Sequence, residues 1–138
     1  MYDFPRQTDL ESILSRHPDI TTQGICKNSP ISRKDMYDKL DEFQRATFWI
    51  ACICGPFITR ISRKQTSQNL LLMANNWWDV ATPICHGALI AALIYQNHTV
   101  QRIEGSNAVY TNVSNDSDFP NAARKPNLLA EYAKESIQ

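Results

Sequence analysis

Apolar residues recur at helical spacing through most of the first hundred positions, and the interruptions mark where elements start and stop. Leu10, Ile13 and Leu14 share one face of a helix opening at Thr8-Asp-Leu-Glu11. There Thr8 can accept from a first-turn amide and Glu11 can reach back, the pattern of a capping box. The helix should run to about Arg16, with Pro18 closing it, and residues 18–31, with Pro18, Gly24 and Pro30, read as a connecting loop. Ser32 is the next cap, ahead of Asp35 in a first turn that favours negative charge. From Arg33 to about Cys54 the positions Met36, Leu40, Phe43, Thr47 and Ile50 keep the 3/4 spacing of one buried helix. Gly55-Pro56 ends it.

Phe57 to Ile61 is a short extended stretch. Ser62 then caps a third helix, with Gln65 at the capping-box position, Leu70, Leu71, Met73 and Ala74 on its apolar face, and fraying near Trp77-Trp78. Thr82-Pro83 is a further start signal. The fourth helix, Pro83 to Gln96, is apolar almost all round and is expected at the centre of the domain. Residues 99–103 and 109–113 are β-rich runs flanking Glu-Gly-Ser-Asn, a hairpin signal with Gly105 and Asn107 available for positive φ. The expected fold is therefore mainly α (α+β): about four helices with one β-hairpin at 99–113, in a single compact domain over 1–113. Residues 114–138 form a polar tail, with a short amphipathic helix over Asn127–Gln138.

The order helix, turn, helix, hairpin over 62–113 is that of a winged helix. The helix that would read bases offers only Cys85, His86 and Gln96 between apolar residues, so it suits a core better than a groove. Composition narrows the classes further. With 138 residues, 43% hydrophobic and 20% charged, the chain can build one core, and its fourteen basic and fourteen acidic residues exclude a polycation or an acidic DNA mimic. Four glycines with no G-x-G exclude a dinucleotide fingerprint and a phosphate-cradling loop. No apolar run approaches a membrane span, and Met1 to Arg6 lacks the apolar segment of a secretory signal. A cytosolic protein is expected, with Cys26, Cys52, Cys54 and Cys85 as free thiols.

Candidate chemistry is sparse. Cys52, Cys54, Cys85 and His86 make a nominal zinc set, but residues 52 and 54 diverge on a helix, as do 85 and 86, and no C-x-x-C occurs. Buried cysteines acting as small hydrophobes are the preferred reading, so no metal and no cofactor are expected. His17, His86 and His98 stand in no recognisable hydrolase motif. His17 reads as a cation at a helix C-terminus and His98 as a loop residue entering the hairpin. Asp35, Asp38, Asp41 and Glu42 read as a solvated helix face. No catalytic residue is assigned, and an enzyme is not expected.

Charge layout says more than net charge. From Arg45 to Arg102 there are five basic residues and one acid, Asp79, a local balance of +4 offset by −4 elsewhere. Arg60, Arg63 and Lys64 fall within five positions ahead of a helix start, an arrangement suited to phosphate contacts. With Arg102 from the hairpin they are the expected binding residues. Trp77 and Trp78 are further candidates: core packing of both is the commoner outcome for such a pair, and the alternative keeps one in the core and offers the other as an anchor for a partner or a platform for stacked bases.

Residues 61–113 also resemble a family of small uncharacterised proteins carried by phages, plasmids and other bacterial mobile elements. Three stretches carry the likeness: Arg63-Lys64-Gln65-Thr66-Ser67-Gln68-Asn69-Leu70, Gly87-Ala-Leu-Ile90-Ala91-Ala92, and Asn107-Ala108 with Asn112-Val-Ser114. Gln68 stands where the pattern has Tyr, Asn69 where it has Gly, Leu71-Leu72 for Lys-His, and His86 for Asn. The resemblance implies a mobile-element origin more than an activity. Together with small size, the lack of a catalytic constellation and the expected exposed aromatics, it fits an inhibitor or adaptor of a host protein or nucleoprotein complex, including a counter-defence role of the anti-CRISPR kind. The alternative is a nucleic-acid-binding protein contacting phosphates through the basic turn 60–64 and the hairpin. No membrane partner is expected.

Overall fold

The computed structural model describes residues 4–26, 34–51, 65–78 and 82–111. The expectations for Cys52, Cys54, the stretch 57–61, the cations Arg60, Arg63 and Lys64, and the tail 114–138 lie outside these residues. Among the described residues the fold is mainly helical with small antiparallel sheets, an α+β arrangement.

The first helix, α1, spans Gln7–Arg16 and buries Leu10, Ile13 and Leu14. It starts two residues earlier than a Thr8 cap implies, with Arg6 as the N-cap. The Arg6 backbone N–H donates to the Asp9 carboxylate at 2.8 Å, so Asp9 closes the first turn rather than Glu11. Residues 18–31 are not only loop: β1 (Ile20–Thr21) and β2 (Gly24–Ile25) pair antiparallel, with Gly24 at φ +110° in the turn region. Each strand is two residues long, too short for alternation to show in the sequence.

The expected single helix from Arg33 is two. A short α2 (Lys34–Tyr37) is followed by a break at residues 38–39 and then α3 (Leu40–Trp49). No proline or glycine causes the break. The Met36 sulfur lies against Gly87, close to where a Cβ would stand. Beyond the break α3 is buried almost all round, from Glu42 to Trp49 apart from Gln44.

Gln65 lies in a strand, not in the first turn of a helix: β3 (Gln65–Thr66) leads directly into α4 (Ser67–Trp78). The central helix, α5, spans His86–Tyr95 and begins three residues after Pro83. Cys85 is its N-cap in extended conformation, and the first amide is met by a carboxylate from another helix instead of by Thr82 (below). Every residue from His86 to Leu93 is buried, and α1, α3, α4, β1 and β2 all pack on α5. Asn97, at φ 63°, turns the chain after α5 into β4 (Val100–Arg102), which pairs with β5 (Val109–Thr111). Gly105 takes the expected positive φ of +75°; Asn107 does not. β3 adds to the far side of β5, Gln65 opposite Thr111, giving the sheet order β3-β5-β4.

Candidate functional site

The polar centre of the described fold is a pair that the sequence keeps nineteen positions apart. Ser67, the first residue of α4, and His86, the first of α5, meet side chain to side chain, Oγ to Nε2, at 2.8 Å. The Val109 N–H of β5 donates to the same Ser67 oxygen at 2.9 Å. The His86 ring also makes a hydrogen bond to the Gln23 backbone, one that favours its protonated form. An imidazole donating to a carbonyl there carries its proton on Nδ1, which leaves Nε2 to accept from the Ser67 hydroxyl. Burial outweighs the Gln23 contact and holds the imidazole pKa below its ordinary value.

A serine, a histidine and a group orienting that histidine are the parts of an activated nucleophile. Access decides against that use. Ser67 is 0% exposed and His86 7%, and the serine oxygen is already engaged by a backbone amide. The pair instead ties the starts of α4 and α5 to β5 and to the β1–β2 turn. The turn is fastened again by Asn107, whose side-chain N–H donates to the Gln23 carbonyl and whose carbonyl accepts from Ile25 N–H at 2.8 Å. Two glycines permit the closeness. A Cβ on Gly24 would run into the Asn107 carbonyl, and one on Gly87 into the Thr21 carbonyl. Ser67, the His86-Gly87 step and Asn107-Ala108 are therefore spatial neighbours.

Glu42 is the second buried polar anchor. It was grouped with the solvated acids, but while Asp35, Asp38 and Asp41 are exposed, Glu42 is 8% exposed. Its Oε1 accepts from the Cys85 N–H at 2.6 Å, and Lys39 Nζ lies 3.5 Å from its other oxygen. An acid from α3 thus meets the positive end of the buried helix α5. The Cys85 thiol is pushed up to about 12, chiefly by burial, with Glu42 adding to the rise, so it stays protonated and unreactive at neutral pH. Among the described residues no three potential ligands cluster as a metal site would require.

The tryptophan pair takes the core alternative and not that of an exposed anchor. Trp77 and Trp78 are both buried, 3% and 2% exposed, with their rings edge-to-face at 4.9 Å. Trp78 Nε1 donates to the Arg45 carbonyl at 3.1 Å, and its ring continues through Phe48 to Phe4. Neither indole is presented to a partner. Arg102 is 49% exposed in its side chain, but its guanidinium is paired with Asp19 at 2.7 Å. Arg45, 4% exposed, is paired through Nε with Asp41 at 2.9 Å, and its two terminal nitrogens find no acceptor among the described residues. The two described cations of the +4 stretch therefore each have an acid from outside that stretch. His17 caps α1 but is not a favoured cation, since burial, then Arg16 and Arg102, lower its pKa. His98 is a loop residue ahead of β4, as expected, and it is buried.

Sequence reasoning missed the Ser67–His86 pair and the Glu42–Cys85 bond. A serine at the start of one buried helix and a histidine at the start of the next is the only local signal for the first; Glu42 shows none. No helix among the described residues is long and apolar enough to cross a membrane. Comparison with protein-family models, curated proteins and solved structures finds no match to the chain.

Proposed function

We propose that the chain is a non-enzymatic binding protein of phage or plasmid type. In this reading it is an inhibitor or adaptor of a host protein or nucleoprotein complex, acting in the cytoplasm, and it engages an acidic or phosphate-bearing surface through Arg60, Arg63 and Lys64. One observation carries this reading. Arg45 and Arg102 have their charge met by Asp41 and Asp19, so the positive balance of the 45–102 stretch resides in three cations within five residues. The closed state of the Ser67–His86 pair supports a binding role over a catalytic one.

A second reading, direct binding of nucleic acid, is favoured by the element order β3-α4-α5-β4-β5 with sheet order β3-β5-β4, a helix–turn–helix followed by a hairpin. Salt separates the two. Binding dominated by phosphate contacts falls steeply as salt rises, while binding through apolar protein contacts does not. Fluorescence anisotropy with labelled duplex DNA between 50 and 200 mM salt, beside a nuclease-treated pull-down, tests both. A steep salt slope supports the second reading. A partner retained after nuclease supports the first, and the absence of any binder to either overturns both.

A further inference from the structure

We draw no further inference here: the strongest candidate, the buried guanidinium of Arg45 on α3, whose terminal nitrogens find no acceptor among the described residues, carries nothing because both nitrogens are closed to solvent and nothing in the structure shows what covers them.

Discussion

The Ser67 hydroxyl and the His86 imidazole are joined at 2.8 Å where α4 and α5 begin, and the Val109 amide completes the serine's bonding. The bond is a fastening between elements. Ser67→Ala leaves the Val109 N–H and His86 Nε2 without their partner in a buried site, and should cost about 1–3 kcal/mol in a denaturant titration. The wild type should not be labelled by a fluorophosphonate probe, which needs an accessible activated serine. Stoichiometric labelling of Ser67 would contradict the structural role.

Stability should fall on the acid side of neutrality. Burial keeps His86 neutral in the fold, and burial with Arg16 and Arg102 does the same for His17, whereas each titrates near 6.5 when unfolded. Above 6.5 both states are neutral and stability is full. As pH drops below 6.5 the unfolded chain takes up protons that the native state refuses, and stability is lost until the lowered native values are reached. Chemical denaturation from pH 8 to 5 should show this loss, and His86→Asn should reduce its slope.

The two glycine contacts should separate sharply from the third glycine described. Gly87→Ala places a methyl against the Thr21 carbonyl, backbone against backbone, at the centre of the packing around α5. It should cost about 3 kcal/mol or more, at or beyond the upper end of overpacking effects. Gly105→Ala meets nothing, and only its φ of +75° is unfavourable, so about 1 kcal/mol is expected. Paired thermal melts of the two variants check the difference.

Arg45 should be replaceable. Its guanidinium is buried with two nitrogens unsatisfied, and its single acid, Asp41, is 70% exposed and stays hydrated without it. Arg45→Met removes a poorly compensated buried charge while keeping the volume, and should be neutral or stabilising in a thermal melt. A loss above about 2 kcal/mol would mean that the guanidinium is satisfied in solution.

Elements that depend on near neighbours could be read from the sequence. α1 shows its face in Leu10, Ile13 and Leu14, α5 its centrality in an unbroken apolar run, and the hairpin its turn in Gly105. What could not be read depends on distant partners. Strands of two residues show no alternation, so β1, β2 and β3 leave no trace in the sequence, and Gln65 reads as the capping-box partner of Ser62. Glu42 differs from Asp38 and Asp41 only in what it faces after folding. The tryptophan pair lies between these cases: adjacent aromatics on one helix leave open whether one ring is exposed, and the edge-to-face contact places Trp77 and Trp78 in one buried cluster.

Charge reversal at the cationic segment tests the central claim most directly. Arg60→Glu/Arg63→Glu/Lys64→Glu would be used as bait in a quantitative pull-down from bacterial lysate, with and without nuclease. The control is Arg6→Glu/Arg16→Glu, at two exposed arginines of the first helix and its cap. The triple variant should lose the partner captured by the wild type, with a melting temperature within a few degrees. The control should capture the partner as the wild type does. Equal capture by the triple variant and the control would contradict the assignment of the binding surface to residues 60–64.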